Sequence, residues 1–339
     1  MLKIYTDSTF LTAENRRCVF PLLFDIWYTQ NRELLQIYEL VASMEEAEVV
    51  IVPIDIAEFY MNKQIAWLRN FIGEALALNK KVWVYSAGDY GLTITQSVYT
   101  FRLSGFDSKL SERTFIMPSF IADPIQYAAS GGAPIPKEEK ARIGFVGHAS
   151  RSSAKWIKEW GVYMLHNYKR YTKKLYTDYQ GFYPSSIKRF DYLVELARNK
   201  KLSTDFVYRE QYRAGVKTEE EKERTTRDFF LNIDNNPYTF CLRGAGNYSV
   251  RFYETLAMGR IPVLVNTDCR LPLAEYINWE KHCVLIDDQN PSEALVDFHQ
   301  KITPQEFAIM QRNNRTLWLN YLSRESYFTQ IATLFKDMK

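Results

Sequence analysis

The chain has 339 residues, 46% hydrophobic, 15% aromatic and 24% charged, a globular composition with enough apolar material for more than one core. That length predicts two domains. With 43 Lys and Arg against 40 Asp and Glu, the formal charge of +3 supplies no global attraction to nucleic acid, so any electrostatic argument has to be local.

The sequence begins with MLKIYTDSTF, a strand-like pattern in place of the basic, apolar and small-residue succession of a secretory signal. No window approaches the ~18 to 20 apolar residues that cross a bilayer, and we expect a cytoplasmic protein without a transmembrane segment. Residues 2–6 (LKIYT) read as the first strand and residues 34–44 as a long amphipathic helical segment. Residues 48–54 (EVVIVPI) read as a buried strand, 63–78 as a helix and 81–86 (KVWVYS) as another strand. Continuous apolar strands alternating with helices predict a parallel sheet covered on both faces, which is an α/β layering.

At residues 130–142 the stretch SGGAPIPKEEKAR combines glycines, prolines and a charge run that leave little for a core to hold, and we place the domain boundary there. The pattern restarts with IGFVGH (143–148) and continues through DFVYR (205–209), YTFCL (238–242), IPVLV (261–265) and HCVLID (282–287). Residues 303–339 read as one or two helices, starting at Thr303 with Pro304 in the first helical position. The expected division is an N-terminal Rossmann-like domain over 1–135, a second over 141–320, and a final helix over 321–339 able to pack back on the first. Cys18, Cys241, Cys269 and Cys283 are widely spaced and predict no disulfide framework. With no CxxC pair and four scattered histidines, we expect neither a metal site nor a bound cofactor.

The chemistry concentrates after YTFCL. Arg243, Gly244, Ala245 and Gly246 lead into a helix that Asn247 or Ser249 could cap. Glycines let the backbone approach an anion, and a helix N-terminus supplies amide donors and partial positive charge, so the turn suits a diphosphate. Arg243 and Arg251 could add bidentate contacts to it. Val250, Tyr253, Leu256 and Ala257 form the apolar stripe of that helix, which leaves Arg251 and Glu254 together on a neighbouring face. The arginine suits phosphate and the carboxylate suits ribose hydroxyls; the plainer reading is an ordinary i, i+3 surface ion pair.

GAGNYS also resembles the GxGxxG dinucleotide fingerprint, with Asp268 about 20 residues on, which would make the chain an NAD(P)-dependent oxidoreductase. Against that, Ser249 stands where the third glycine belongs, and the motif falls in the middle of the second half. After the strand IGFVG, the turn GHASRSS places Gly147, His148, Ser150 and Arg151 as a second set of donors to the diphosphate.

Residues 246–286, GNYSVRFYETLAMGRIPVLVNTDCRLPLAEYINWEKHCVLI, resemble the C-terminal core of exostosin-type glycosyltransferases. That family has Ser-x-Arg-Phe-x-Glu, then Gly or Cys before x-Pro-Val, then Leu-Pro-Phe-x-Glu-x-Ile-x-Trp. The matching residues are Ser249, Arg251, Phe252, Glu254, Gly259, Pro262, Val263, Leu271, Pro272, Leu273, Glu275, Ile277 and Trp279, with Leu273 in place of the usual aromatic. Upstream, EEAEVVIVPI (45–54) is similar to the family's Glu-Ala-Asp-Phe-Phe-x-Val-Pro, KVWVYSAGDYG (81–91) to its strand ending in His-Asp-x-Gly, and RIGFVG (142–147) to the first strand of its second domain, all in the family's order.

The resemblance implies a GT-B fold, two Rossmann-like domains with parallel sheets facing a central cleft, with the donor held mainly by the second. It implies an inverting transfer from a nucleotide sugar, usually UDP-linked, to a saccharide acceptor in polysaccharide or glycan synthesis. No two aspartates stand two apart, so the Asp-x-Asp metal motif of the other major glycosyltransferase fold is missing, as is a GxxxxGK[ST] loop. Both absences fit a metal-independent departure of the diphosphate assisted by arginines. A catalytically silent nucleotide- or sugar-binding module would keep Arg251 and Glu254 but need no base.

An inverting transfer requires a base for the acceptor hydroxyl. Asp89, in the turn SAGDYG after a strand and at the family's His-Asp-x-Gly, is the first choice; Asp7 and Asp55 are rivals, and turn or capping chemistry should account for at least two of the three. Between residues 151 and 190 stand nine Lys or Arg against Glu159 and Asp178, interleaved with tyrosines, Trp156 and Trp160. Such a run could meet an anionic saccharide or a membrane surface as a peripheral contact. We expect instead a solvated helical face with its aromatics turned inward.

Overall fold

A computed structural model describes residues 1–209, 218–286 and 290–338; Asp287, the end of one expected strand, lies outside them. The described residues form two parallel sheets. The first contains β1 (Leu2–Tyr5), β2 (Tyr38–Leu40), β3 (Val49–Ile51), β4 (Lys81–Ser86), β5 (Tyr99–Arg102) and β6 (Thr114–Ile116), in the order β2-β1-β3-β4-β5-β6. The second contains β7 (Ala141–His148), β8 (Leu202–Arg209), β9 (Tyr238–Cys241), β10 (Ile261–Val265) and β11 (Val284–Ile286), in the order β11-β10-β9-β7-β8. Each order reverses beside the first strand of its sheet, between β1 and β3 and between β7 and β9, the arrangement of doubly wound α/β folds. The expected class, α/β with two Rossmann-like parallel sheets, is the one observed. Strands β3, β9 and β10 are buried at every residue, which is why they read in the sequence as unbroken apolar runs.

The helices are α1 (Pro21–Trp27), α2 (Arg32–Leu35), α3 (Ile56–Met61), α4 (Ile65–Ala77), α5 (Ser153–Tyr171), α6 (Ser185–Arg198), α7 (Glu219–Asn235), α8 (Val250–Ala257), α9 (Pro291–Lys301), α10 (Pro304–Leu317) and α11 (Arg324–Asp337). The chain divides into two compact units, one of Met1–Pro118, Met164–Gly181 and Ser323–Lys339, the other of Ser119–Tyr163 and Phe182–Leu322. The division therefore runs through α5, and α11 belongs with the six-stranded sheet.

In that first unit, Trp83 of β4 packs its ring 4.6 Å from Phe335 of α11, and Phe20 lies 5.3 Å from Phe101. Tyr38 Oη donates to the Phe328 carbonyl at 2.6 Å and Tyr327 Oη to that of Ile116 at 3.1 Å, so the buried phenols are satisfied by backbone. Residues 34–44, read as one helix, are instead the end of α2 followed by β2. Asn31 caps α2 through Glu33 and Leu34 amides, the helix ends after one turn, and Tyr38 is drawn into pairing opposite Leu2. Long-range pairing overrides the local helical spacing there.

The stretch 130–142, read as leaving little for a core to hold, is fastened to the second unit by polar side chains. Arg260, fully buried, pairs with Asp234 at 2.7 Å. The same guanidinium donates to the Ala133 carbonyl and Ser130 Oγ, and Ser130 Oγ donates to Asp234 Oδ1 at 2.6 Å. Gln311 of α10 completes the fastening, accepting from the Ile135 amide and donating to its carbonyl, both at 2.9 Å. Glycines and prolines signalled irregular backbone correctly; they carry no information about the side chains elsewhere that satisfy it.

Candidate functional site

In open parallel sheets, ligands bind outside the carboxyl ends of the strands where the strand order reverses. In the second unit that place lies between β7, which ends at His148, and β9, which runs into Arg243. Helix α8 starts beside it. Ser249 occupies the N-cap position in extended conformation, and its hydroxyl makes no capping bond. Asn247 reaches across to the following loop. Its amide donates to the Thr267 and Asp268 carbonyls, both at 2.9 Å, and accepts from Thr267 Oγ1 at 2.6 Å, so its side chain braces the turn against the loop after β10. A Cβ on Gly244 would meet open space, which leaves that backbone approachable. Gly246, in the same turn, is buried.

Three arginines converge here. Arg251 donates through Nη2 to the Val146 carbonyl at 2.8 Å, with its guanidinium 4.3 Å from the Phe145 ring centre and 5.5 Å from that of Phe229. Gly147 makes room for it, since a Cβ there would come 2.7 Å from Nη2. Arg243, buried, lies 4.6 Å from the Tyr183 ring and donates to the Ala245 carbonyl. Arg189 of α6 donates to the carbonyls of His148 at 2.7 Å and Arg243 at 3.4 Å. Burial, and then the charge of Arg251, lower the Arg189 guanidinium to about 10. Among the described residues, neither Arg189 nor Arg251 forms an ion pair, and the Nε atoms of both are buried without a hydrogen-bonding partner. The Nε2 of His148 is buried without one too, while its Nδ1 meets the Arg209 carbonyl at 2.9 Å.

Glu254 follows Arg251 by three residues, yet the two do not pair. Burial pushes the Glu254 carboxyl up to about 7, against the opposing pull of Arg251. The ordinary surface ion pair is therefore not what the helix presents. Ser249 and Arg243 also line a crevice with Tyr253, Thr267, Cys269 and Arg270, the last of which the sequence reading did not single out. Arg151 stands apart from the cluster, exposed and 3.7 Å from Asp191. Arg189 was missed because it lies in a basic run and meets its partners 41 and 54 residues away; no local pattern signals it.

The fingerprint reading loses its context. GAGNYS follows β9, the third strand of its sheet in chain order, not the first. Asp268 sits in a left-handed turn at φ 60°, its amide bonded to Asn266 Oδ1 and its carbonyl to Asn247.

In the first unit, Asp7 accepts from the Thr9 amide and hydroxyl as a cap, and Asp55 caps α3 through the Ala57 amide and also accepts from the Ala87 amide after β4. Burial raises the Asp55 carboxyl. Asp89 is exposed in a turn between Gly88 at φ 78° and Gly91 at φ 65°, conformations that favour glycine. Its carbonyl accepts from Ser104 Oγ, and the turn is anchored by buried Arg102, which pairs with Asp178 at 2.8 Å and donates to the Tyr90 carbonyl. Arg102 and Asp178 stand 76 residues apart, too far for any local pattern to pair them. Among the described residues no three His, Cys, Asp or Glu side chains gather as metal ligands, and no helix is long and apolar enough to cross a membrane.

No family profile matches the chain. In sequence it is similar to Exostosin-like 1 of Homo sapiens, 31% identical over 87 residues, and to the Mus musculus protein, 31% identical over 86. Each match spans 25% of this chain and 13% of the relative's length. Among solved structures it is similar to a glycosyltransferase from Rickettsia africae, with 11% identity, a TM-score of 0.36, and 100% and 99% of the two chains covered. WaaG, a glycosyltransferase involved in lipopolysaccharide biosynthesis, shares 12% identity at a TM-score of 0.32, over 91% of this chain and 82% of that one. Over a quarter of its length, then, the chain is similar to exostosin-like proteins.

Proposed function

We propose that the chain is an inverting, metal-independent glycosyltransferase that takes a sugar from a UDP-linked donor and passes it to a saccharide acceptor. The observation that carries this reading is the arginine cluster at the strand-order reversal of the second sheet, where the guanidinium groups of Arg189 and Arg251 act on each other with no carboxylate paired to either among the described residues. Buried like charges are costly unless an anion joins them. A diphosphate leaving group supplies that anion, and its charge grows as the glycosidic bond breaks, so Arg251, Arg189 and Arg243 lower the barrier. Glu254 accepts from the ribose hydroxyls, and Asp89 takes the proton of the acceptor hydroxyl. The resemblance of residues 246–286 supports the sugar and the uridine nucleotide. Thermal-shift screening with UDP, GDP, CMP and NAD tests the assignment; stabilisation by NAD alone would sink it.

Glu254 gives the site a pH dependence whose sign is fixed. Without ligand its carboxyl titrates at about 7, above the ordinary 4.5. Accepting two hydroxyl protons favours the ionised form, so nucleotide binding lowers that pKa and releases a proton. Affinity for UDP should rise with pH by up to about tenfold per unit below 7 and level off above it. Calorimetry across pH 5.5 to 8 checks this, and Glu254→Gln should flatten the profile. A second expectation concerns Asp89→Asn, which should leave UDP affinity unchanged and lower turnover by at least about 100-fold. Normal turnover in that variant would move the base elsewhere.

A further inference from the structure

Helix α5 is inverted. It is 19 residues long and buries none of them. At 100° per residue, Trp156, Trp160, Met164, Ile157, Tyr168 and Leu165 fall in that angular order across about half the circumference. These six side chains are between 43% and 62% exposed. Lys155, Glu159, His166 and Arg170 occupy the opposite side, and that side is the one turned toward the protein. Arg170 lies 5.2 Å from the Tyr90 ring centre and His166 6.1 Å from it. Desolvation lowers the Lys155 ammonium and raises the Glu159 carboxyl, as expected of charges held against protein. Most of the apolar side chains that the sequence led us to expect inside are outside, with Trp156 and Tyr163 keeping ring contacts to Phe182 at 5.6 and 5.5 Å, while Lys155, Glu159, His166 and Arg170 are half-buried.

We infer that this helix lies in the headgroup layer of an anionic membrane, with its apolar arc inserted. Amphipathic helices that bind the interface combine one apolar face with Lys and Arg beside it, and Trp and Tyr favour that depth. Here Lys158 and Lys169 border the arc, at the angles next to Leu165, and Lys173 and Lys174 follow the helix. The local charge selects the occupant. A second copy of the chain on the same face would bring two lysine rows of one sign together, which opposes a twofold contact. Anionic lipid neutralises them. The inference does not rest on the glycosyltransferase reading, since none of these residues belongs to the arginine site.

Co-sedimentation of the full chain with vesicles tests it. Binding is expected to vesicles of phosphatidylcholine mixed with phosphatidylglycerol and to be weak with phosphatidylcholine alone, falling as salt rises. Ile157→Asp with Leu165→Asp changes exposed positions only, so the fold survives; it should lower partitioning at least about tenfold. Lys158→Gln with Lys169→Gln should lower it roughly 30-fold on the mixed vesicles. UDP thermal shifts in both variants should match those of the parent, which separates this test from that of the nucleotide site. Absence of vesicle binding, or binding that the Ile157 and Leu165 changes leave intact, overturns the inference. So does concentration-dependent dimerisation in sedimentation velocity that those same changes abolish, which would make a second copy the occupant.

Discussion

Arg251→Ala is expected to weaken UDP binding by roughly 30- to 5,000-fold, the range found when one partner of a desolvated charge contact is removed. Its guanidinium is held at one end by the Val146 carbonyl and between the Phe145 and Phe229 rings, so its donors are aimed before any ligand arrives. Stability should change little. The substitution loses the ring contacts, but it also removes a like charge that depresses Arg189. Arg251→Lys keeps the charge and loses the planar fork, and should recover only part of the affinity. Calorimetry with UDP, beside a melting curve, reads both quantities. Unchanged affinity in Arg251→Ala would remove the arginine cluster from the nucleotide site.

Asp234→Ala should act in the opposite way, on the fold and not directly on the ligand. It strands the guanidinium of Arg260, which has no exposed surface, and breaking such a pair from one side costs about 3 to 5 kcal/mol. Ser130 loses both its amide and hydroxyl acceptor at the same time. A fall in melting temperature of roughly 10 °C is the expected size for a unit of this length. Asp234→Asn, which keeps an acceptor and shape, should fall by less. A melting curve like that of the parent would show that Arg260 does not depend on this carboxylate.

The sequence was legible where burial is two-sided or contact is local. IPVLV was read with the bounds β10 has, because a central parallel strand shows an uninterrupted apolar run. The Arg251 and Glu254 spacing was readable as one helix face because residues three apart on a helix are neighbours whatever the rest of the fold does. Strands β2 and β6, three residues each, are too short for any period to emerge. Asn247 had the residue type of a cap, and only the fold shows that the loop after β10 takes its side chain instead. The inversion of α5 exposes a more general limit. Periodicity reports that apolar and charged residues are segregated around a helix, but the segregation is the same whichever side faces water.

The division of the chain has a consequence for synthesis. Domains generally fold as units, N-terminal first, as the chain emerges from the ribosome. Here Trp83 and Tyr38 of the first sheet wait for Phe335 and Phe328 of α11, more than 250 residues later. The second unit is complete at Leu322, before any of α11 has appeared. The half of the molecule that is made first is therefore the half finished last, and its unsealed aromatic core is what a chaperone would meet on the nascent chain.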